Sequence, residues 1–402
     1  MMPKRLLYLT AEEWPTFRVD VTTLFGQELP RLGICTDLAT ERKGQGELPA
    51  WPAGELHLCA PGRHKAETYV RKFMHLVGQA CWGGRGRIDA IQVRDMPVVA
   101  AVGLLAARVR GVPFFYWMSY PQSEGQVDRA RQRGPKAGLR YWFPLVQGLV
   151  GQWLLYRFVL RRADHVFVQS DHMAQDVARK GVPASQLTAV PMGVDPDRAD
   201  PGRIEPTDDA RLKGRSVVVY LGSLDRTRQI DVLVQAMPRV RQQVPDALLV
   251  LAGDADDDDQ RAHIRQLVND PAVRDSVLCT GWMPMQDAWR YVRAAQVAVS
   301  PVPRGPLLDV ASPTKVLEYM ALELPVLVND NPDQQQVVQA SGAGLCAPYE
   351  PEAFAQAIVT LLRTPEAERQ AMGRRGRAHV QATRSYAQLA QRVGAVYHRL
   401  MR

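Results

Sequence analysis

Short apolar runs alternate with amphipathic segments along most of the chain, the pattern expected for buried strands joined by surface helices. In the first half, the runs that predict strands are residues 6–10, 90–93, 113–117 and 166–169. In the second half, they are residues 217–221, 247–252, 277–280, 297–300 and 325–328. The helices predicted between them are residues 22–32, 97–110, 171–180, 230–243, 260–269 and 286–294. Because strands that alternate with helices form parallel sheets, the sequence predicts an α/β fold with doubly wound, Rossmann-like sheets.

A polar, proline-rich segment interrupts this alternation near the middle of the chain, and its composition is typical of a linker. A chain of 402 residues also exceeds what one hydrophobic core usually supports. We therefore expect two Rossmann-like domains that face each other across a cleft, with ligands at the carboxyl ends of the strands. The predicted divisions are an N-terminal domain at residues 1–195, a linker at 196–212, a C-terminal domain at 213–378, and a helical segment at 379–402 that packs back on the N-terminal domain.

One segment of the second half combines a helix start with charged groups. Ser312 is a preferred N-cap residue and Pro313 suits the first helical position, so a helix is predicted to begin at Ser312. The free N–H groups near Thr314 and Lys315 then form an anion site, which the charge of Lys315 reinforces. Glu318 lies one turn further on the same face, where a carboxylate suits the hydroxyls of a ribose. This pattern indicates a pocket for a nucleoside diphosphate, with an ordinary capped surface helix as the alternative.

Loops that follow other strands of the second half carry further candidates. Gly222 allows a ligand to approach the backbone closely, and Arg226 and Arg228 can pair bidentately with phosphate oxygens. Trp282 and Met283 follow the third strand of this half, where an aromatic or backbone edge can hold a base. Simple solvation is the alternative for the two loop arginines.

The composition and charge narrow the classes of function. The formal net charge is +8, yet no nucleic-acid recognition motif accompanies the arginines, so we expect no nucleic-acid partner. The 5 cysteines are scattered, and the 8 histidines lack ligand spacing. We therefore expect a reducing compartment, no disulfides and no metal site, and we interpret the acidic run at residues 254–259 as a solvated surface. No apolar signal region follows the basic start, which favours a cytoplasmic protein.

A basic stretch leads into an aromatic-rich apolar stretch at residues 129–156. The basic part, residues 129–140, contains no acid, and the apolar part, residues 141–156, contains no charge. The apolar part is too short to cross a bilayer, which needs about 20 residues. The pattern is typical of a helix lying in an anionic membrane surface, with a buried helix behind a solvated basic loop as the alternative. The first interpretation places the protein peripherally on the inner face of the plasma membrane.

Taken in order, the motifs of the second half resemble those of the retaining, nucleotide-sugar-dependent glycosyltransferases of family 4, which have the two-domain GT-B fold. The matching segments are residues 220–224, 251–254, 279–282, 299–301, 312–320 and 325–326. Weaker matches in the first half are residues 89–91, 111–113, 168–170 and 191–195. The resemblance implies that Arg228 replaces a phosphate-binding lysine, that Thr314 and Lys315 lie at the diphosphate, and that Glu318 contacts the donor ribose. It also implies a leaving diphosphate stabilised without metal by Arg228 and Lys315.

Several residues depart from the family pattern. Val310 occupies the position of the first glutamate of the E-x7-E motif, which is expected to touch the donor sugar. Ser223 stands where the family often has a second phosphate-binding arginine, a role that Arg226 can take. Glu323 replaces the usual glycine before the last strand, and Met118 replaces a histidine of the first domain.

Because the donor features all lie in the second half, the first half is expected to supply the acceptor surface. The candidates at the ends of its strands are Glu13, Arg18, Arg94, Asp95, Tyr116, Ser119 and Glu124. Glu124 is the nearest polar group able to orient an acceptor hydroxyl, with a carboxylate in a mobile loop as the alternative. Arg18 is expected to steady the leaving diphosphate.

Together with these features, the resemblance implies a retaining glycosyltransferase that needs no cofactor. Its substrates would be a UDP- or GDP-linked sugar and a membrane-associated glycolipid or polyprenol-linked acceptor, in the synthesis of a surface polysaccharide. Val310 and Met118 leave open a catalytically silent, nucleotide-sugar-binding partner of a polysaccharide assembly complex. A nucleotide-sugar epimerase of the same fold is the other alternative.

Overall fold

The computed structural model of this chain describes residues 3–44, 46–84 and 87–401. Its contacts divide the chain into two compact units. The first unit comprises Met1–Pro191 and Tyr386–Arg402, and the second unit is the continuous segment Met192–Ser385.

The first unit is built on a seven-stranded sheet whose paired strands are all parallel. The strands are β1 (Lys4–Trp14), β2 (Ile34–Arg42), β3 (Leu56–Cys59), β4 (Ala90–Arg94), β5 (Phe114–Met118), β6 (His165–Val168) and β7 (Leu187–Ala189). Their order across the sheet is β3-β2-β1-β4-β5-β6-β7. Every residue of β4, β5 and β6 is buried, as expected for central strands covered on both faces.

Helices cover this sheet and connect its strands. They are α1 (Leu29–Arg31), α2 (Lys65–Trp82), α3 (Pro97–Arg110), α4 (Gln122–Arg133), α5 (Leu139–Trp153) and α6 (Asp171–Arg179), with π-helical segments at Asp20–Glu28 and Leu154–Val159. Local sequence signals set several boundaries. Ser170 caps α6 by accepting a 2.9 Å hydrogen bond from the Met173 amide, and α3 ends where Gly111 adopts φ +69°.

The second unit contains a six-stranded sheet, again with parallel pairs only. Its strands are β8 (Ser216–Leu221), β9 (Ala247–Ala252), β10 (Val277–Cys279), β11 (Val297–Ser300), β12 (Val326–Asn329) and β13 (Gly344–Ala347). The order β10-β9-β8-β11-β12-β13 reverses direction at β8. Ligands of such sheets bind where the strand order reverses, so β8 and β11 mark the expected site.

Seven helices of the second unit pack on this sheet. They are α7 (Asp231–Gln243), α8 (Asp258–Val268), α9 (Met285–Ala294), α10 (Lys315–Ala321), α11 (Pro332–Ser341), α12 (Pro351–Arg363) and α13 (Glu366–Thr383). Val217 and Val219 of β8 belong to the hydrophobic cluster on one face of the sheet, and Val218 and Tyr220 belong to the cluster on the other. Both faces of β8 are therefore buried. Residues 196–212, predicted as a linker, lie within this unit.

The last helix, α14 (Tyr386–Leu400), belongs to the first unit. The Tyr397 hydroxyl donates a 2.5 Å hydrogen bond to Gln92 of β4, and its ring lies 5.1 Å from that of Phe115. Tyr397 is fully buried. The C-terminal end of the chain thus completes the core of the N-terminal sheet.

Glu323 lies in the turn between α10 and β12 with φ +62°, a conformation that favours glycine. Its carboxylate is 3.8 Å from the guanidinium of Arg377. We expect Glu323→Gly to have a free energy of unfolding about 1 kcal/mol higher than Glu323→Ala. Both variants lose the contact with Arg377, and only glycine adopts this conformation without a steric cost. Chemical denaturation measures the difference, and equal stabilities would contradict the assignment of strain to this turn.

Candidate functional site

Two glycines open the carboxyl edge of the second sheet. Gly222 follows β8 with φ +137°, and a Cβ built there would lie 2.4 Å from Cε of Lys315. A Cβ on Gly253, which follows β9, would lie 2.0 Å from the Gly222 carbonyl oxygen. Side chains at these positions would displace Lys315 or push the two loops apart. The absence of both side chains therefore shapes the site.

Lys315 is the central cation of this edge. Its Nζ donates a 2.6 Å hydrogen bond to the hydroxyl of Tyr220 and lies 4.3 Å from the centre of the Tyr220 ring. Burial and the positive charge of Arg228 lower the pKa of Lys315 to about 7, although the Glu318 carboxylate opposes them. An anionic ligand would favour the charged ammonium, so this site gains from binding a negatively charged group.

The two candidate loop arginines take different positions. Both belong to the single turn Arg226–Arg228, which follows Asp225. The charge of Arg228 lowers the pKa of Lys315 and the pKa of Tyr220, so Arg228 lies close to both residues. The Arg228 side chain is exposed. The guanidinium of Arg226 instead lies 3.7 Å from the Asp259 carboxylate. The structure thus brings Arg228 and Lys315 together and turns Arg226 toward the acidic loop.

The helix predicted to begin at Ser312 begins three residues later, so that part of the prediction is wrong. Helix α10 starts at Lys315 after Thr314, and Thr314 provides no side-chain cap. The Ser312 hydroxyl donates a 2.7 Å hydrogen bond to Asp333 and accepts a 3.0 Å hydrogen bond from the amide of Met192. The Ser312 hydroxyl is therefore bonded to the buried Asp333 carboxylate and does not cap the helix.

A buried polar network fixes the loop that leads to α10. Asp333 of α11 accepts hydrogen bonds from Ser312 at 2.7 Å and from the Arg384 guanidinium at 2.8 Å. The Gln334 side chain donates to the Ser300 carbonyl at 3.0 Å and to the Asn329 side chain at 2.8 Å. This network was missed by the sequence analysis because its members come from five separate segments. It fixes the backbone on which Lys315 stands.

Glu318 projects from the same short helix as Lys315 and is held by an indole that sequence reasoning also missed. The Trp289 Nε1 of α9 donates a 3.1 Å hydrogen bond to Oε2 of Glu318. Burial raises the pKa of Glu318, whereas the Trp289 hydrogen bond and the Lys315 charge lower it. The Trp289 indole thus orients Oε2 of the Glu318 carboxylate. The other oxygen, Oε1, can accept hydrogen bonds from the hydroxyls of a ligand.

The remaining donor-side candidates have fewer polar groups directed to the site around Lys315. The Ser223 hydroxyl donates to the carboxylate of Asp225. Trp282 is 78% exposed, whereas Met283 is partly buried against the core of this unit. Val310, at the position of the family's first glutamate, is buried. No carboxylate from position 310 is available to a donor sugar.

The strand ends of the first unit contain a buried charged cluster around Arg94, which is 1% exposed. Its guanidinium lies 2.8 Å from the Asp20 carboxylate and donates to the Tyr8 hydroxyl at 3.3 Å and to the Ser119 hydroxyl at 3.2 Å. Burial raises the pKa of Asp20, but the charges of Arg94 and Arg18 outweigh it and lower the pKa to about 2. Arg18 donates to Asp20 at 3.1 Å and is partly exposed.

The acceptor-side candidates are mostly engaged inside the first unit. Asp95 accepts a 2.8 Å hydrogen bond from the Ser119 amide and a further bond from the Ser119 hydroxyl, and Tyr116 is buried in β5. Glu124 accepts a 2.5 Å hydrogen bond from Tyr156 and a 2.8 Å hydrogen bond from the Lys180 ammonium. Of the predicted candidates, Glu13 is exposed and Arg18 is partly exposed, whereas Arg94, Asp95, Tyr116 and Ser119 are buried.

Helix α5, within the basic and apolar segment 129–156, presents large side chains to solvent. Leu139, Trp142, Phe143 and Trp153 are each more than half exposed, so the buried-helix alternative is wrong. None of the helices formed by the described residues has the length and apolar character to cross a membrane.

The acidic run after β9 is a solvated surface that pairs with Arg261. This guanidinium lies 3.2 Å from Asp254 and 2.9 Å from Asp258, and Asp257 caps α8. In the part of the chain that the structure describes, no group of three or more His, Cys, Asp or Glu side chains is arranged to hold a metal ion.

Two family models match this chain. Residues 11–193 match the model described as "Glycosyl transferase 4-like domain". Residues 215–364 match the model described as "Glycosyl transferases group 1". The second match includes every donor-side residue described above.

Individual relatives are similar over parts of their length. The chain is 32% identical over 198 residues to the "GDP-mannose-dependent alpha-(1-6)-phosphatidylinositol monomannoside mannosyltransferase" of Mycobacterium tuberculosis, a match that covers 47% of this chain and 51% of the relative. It is 26% identical over 346 residues to the "D-inositol 3-phosphate glycosyltransferase" of Segniliparus rotundus, covering 83% of this chain and 66% of the relative. The chain thus spans about half the length of the first relative and about two thirds of the second.

A solved structure is similar in fold. The sucrose-phosphate synthase of Thermosynechococcus elongatus aligns with a TM-score of 0.71 and 21% identity, covering 99% of each chain. This likeness concerns the fold alone. Together with the two parallel sheets, it confirms the predicted α/β class with two Rossmann-like domains.

Proposed function

This chain belongs to the glycosyltransferases of family 4, and we propose that it transfers a sugar from a nucleoside diphosphate donor, with retention, to a glycolipid or polyprenol-linked acceptor. The observation that carries this proposal is the placement of the Lys315 side chain against the open backbone of Gly222, where the charge of Arg228 also acts on Lys315. Two cations at the carboxyl edge of a parallel sheet suit a diphosphate. Glu318, on the same helix as Lys315, suits the hydroxyls of the donor ribose.

The proposed chemistry requires little of the protein besides charge stabilisation. The bond between the sugar C1 and the diphosphate oxygen breaks, and its electron pair goes to the leaving diphosphate. The acceptor hydroxyl forms the new bond to C1 from the same face, and its proton goes to an oxygen of that diphosphate. Lys315 and Arg228 stabilise the negative charge that develops there, which is the role that a metal ion plays in other transferases.

A nucleotide screen tests the donor side first. We expect a GDP- or UDP-sugar to raise the melting temperature, since a ligand present at 100 times its Kd stabilises the native state by about 2.7 kcal/mol. The name of the mycobacterial relative supports testing GDP-mannose early. Transfer to a lipid extract, followed by chromatography of a radiolabelled sugar, then tests the activity. If no nucleotide sugar stabilises the protein, the donor site is wrongly assigned.

A catalytically silent binder is the second candidate. The buried Val310, at the position of a donor-contacting glutamate in the family, is the observation that favours it. Nucleotide-dependent stabilisation without transfer or hydrolysis of any nucleotide sugar would support this candidate against the enzyme.

We also propose that residues 129–156 hold the protein on an anionic membrane, peripherally on the inner face of the plasma membrane. The exposed apolar side chains of α5 follow a run of exposed arginines, Arg129, Arg131 and Arg133. Apolar contact and attraction to anionic lipid together support binding to such a surface. This placement would bring the enzyme to a lipid-linked acceptor.

Replacing Arg129, Arg131 and Arg133 by serine should weaken binding to phosphatidylglycerol vesicles by about 1 kcal/mol per arginine at low salt. The wild type should bind less as salt increases, because salt screens the attraction. The matched control replaces three exposed arginines of the second unit, Arg265, Arg274 and Arg374, by serine. Vesicle co-sedimentation measures both variants. Equal losses in the two would assign the effect to net charge and not to this segment.

A further inference from the structure

The first unit contains an apolar cavity of about 320 Å³ that the donor chemistry does not use. It lies among α2, the start of α3, α4 and α5. Its lining is mainly apolar and includes Ala11, Tyr69, Leu76, Val98, Val150 and Leu154. Its polar lining residues are Lys72, Asp95, Gln122, Ser123, Gln126 and Gln147. A cavity of this size and composition is within the range of pockets that bind small apolar groups.

The cavity extends to an exposed apolar surface. Val98, Val150 and Tyr69 line the cavity and are also 50%, 56% and 64% exposed, respectively. Val150 lies on α5, the helix whose other large apolar side chains face solvent. The apolar surface that we assign to the membrane is therefore continuous with the wall of the cavity.

The other end of the cavity lies at the carboxyl edge of the first sheet. Asp95 directly follows β4, and Ala11 lies in the last residues of β1. The Lys72 ammonium donates a 2.6 Å hydrogen bond to the Ala11 carbonyl and lies 3.1 Å from the Glu41 carboxylate. The two charged residues of the lining, Lys72 and Asp95, thus lie at the sheet edge, where ligands of parallel sheets bind.

We propose that this cavity holds the hydrocarbon chain of the lipid acceptor, with the polar head of the lipid directed to the sheet edge. The apolar lining accepts the chain, and the mouth of the cavity continues into the exposed apolar surface of α5, from which a lipid would enter. The identification of the occupant as an acceptor rests on the proposed function. The binding of an alkyl chain does not, so the two are tested separately.

The volume of the cavity limits the length of the bound chain. At about 30 Å³ for a group the size of a water molecule, 320 Å³ holds roughly ten methylene-sized groups. Each methylene buried raises affinity by about fourfold. Affinity should therefore increase with chain length up to about ten carbons and then stop increasing, whereas binding to an open apolar surface would continue to increase.

The test uses a series of n-alkyl phosphates, from hexyl to hexadecyl, kept below their micellar concentrations. Displacement of the fluorescent probe 11-(dansylamino)undecanoic acid reports their binding to the full-length protein. We expect the wild type to show the plateau near decyl phosphate. A failure to bind decyl phosphate at millimolar concentration, or an affinity that increases steadily to hexadecyl phosphate, would overturn the proposal.

Two cavity variants and one control test the location. Val98→Trp fills the mouth of the cavity, and its control, Val109→Trp, makes the same change at an 89% exposed position of α3 outside the lining. Val150→Trp makes the equivalent change on α5, and Val109→Trp is its control as well. Each cavity variant should weaken binding of decyl phosphate at least tenfold, and the control should leave it unchanged. An equal effect in the control would overturn the assignment to this cavity, and Val150→Trp decides if Val98→Trp does not fold.

The outcome separates this proposal from the proposed function. Stabilisation by a nucleotide sugar depends on the second unit, and the plateau in alkyl phosphate affinity depends on the first. If nucleotide sugars bind and are transferred but alkyl phosphates do not bind, only the cavity assignment fails. If the affinity for alkyl phosphates shows the plateau and no nucleotide sugar is bound, the assignment of the cavity to an alkyl chain is supported and the transferase function is contradicted.

Discussion

Replacing Lys315 by methionine should lower kcat/KM for sugar transfer by about 10²–10³-fold, the loss expected when one preorganised group that stabilises a leaving oxyanion is removed. Methionine keeps the apolar length of the side chain and its contact with the Tyr220 ring. The matched control is Lys213→Met, at an exposed position of the same unit. Steady-state kinetics with saturating acceptor measure both variants. A Lys315→Met enzyme with wild-type kcat/KM would exclude this residue from the site.

The pH dependence of donor binding follows from the same group. The pKa of Lys315 in the free protein is lowered to about 7, so its side chain is charged below that pH and neutral above it. A bound diphosphate favours the charged form, and binding above pH 7 therefore takes up a proton. The Kd for a nucleotide sugar should increase by up to about tenfold per pH unit above 7. The Kd of Lys315→Met should not change over this range.

Arg228→Ala tests the same interpretation by raising the pKa of Lys315. Removing the Arg228 charge removes one of the two causes that lower the pKa of Lys315. The variant should bind the nucleotide sugar more weakly at pH 7, while the pH at which its affinity begins to fall should move upward. Isothermal titration calorimetry between pH 6 and 9 measures both quantities. A downward move would contradict the proximity of the two cations.

Replacing Asp20 by alanine should destabilise the first unit by about 3–5 kcal/mol, because it leaves the Arg94 guanidinium buried without its closest carboxylate. The matched control is Arg71→Ala, which removes a half-exposed pair with Glu67 one helical turn away. Such pairs contribute about 0.3–0.5 kcal/mol. Urea denaturation followed by the fluorescence of the buried Trp117 measures the difference. Similar losses in the two variants would show that the buried cluster is not a stabilising element.

Acid should act through the same carboxylate. The pKa of Asp20 is lowered to about 2 in the folded protein, below that of an aspartate in an unfolded chain, near 3.9. A group with a lowered pKa adds stability that is present above pH 4 and is lost as the pH falls toward 2. The free energy of unfolding of the wild type should therefore fall more steeply between pH 4 and 2 than that of Asp20→Asn. Equal slopes would assign the acid sensitivity to other carboxylates.

The central strands were predictable from the sequence, whereas β2, β3, β7 and β13 were missed. The predicted starts of α3, α6, α7, α8 and α9 lie within two residues of the observed ones, and the predicted start of α10 was wrong. Runs such as residues 217–221 and 247–252 are apolar throughout, because both faces of a central parallel strand are buried. The start of α10 depended instead on the Ser312 hydroxyl, which bonds to a carboxylate 21 residues away. Local preferences at Ser312 and Pro313 therefore gave the wrong boundary.

The candidate site was predictable to the extent that its residues follow strands. Gly222, Arg228 and Lys315 each stand at a strand end or a helix start, so their local sequence sufficed to select them. Their partners did not follow from the sequence, because the Tyr220 hydroxyl is 95 residues from Lys315 and the Trp289 indole is 29 residues from Glu318. The same reasoning selected Asp95 and Ser119 in the first unit, but buried neighbours such as Arg94 engage them.

The two units differ in when the growing chain can complete them. The second unit is one continuous segment, Met192–Ser385, whereas the first also needs α14 from the end of the chain. Tyr397 bonds to Gln92 across 305 residues of sequence and packs in the core of the N-terminal sheet. During synthesis at about 5–20 residues per second, the second unit can fold as soon as it leaves the ribosome. The unit made first must wait for α14, which is made after the whole second unit, and part of its apolar core stays uncovered until then.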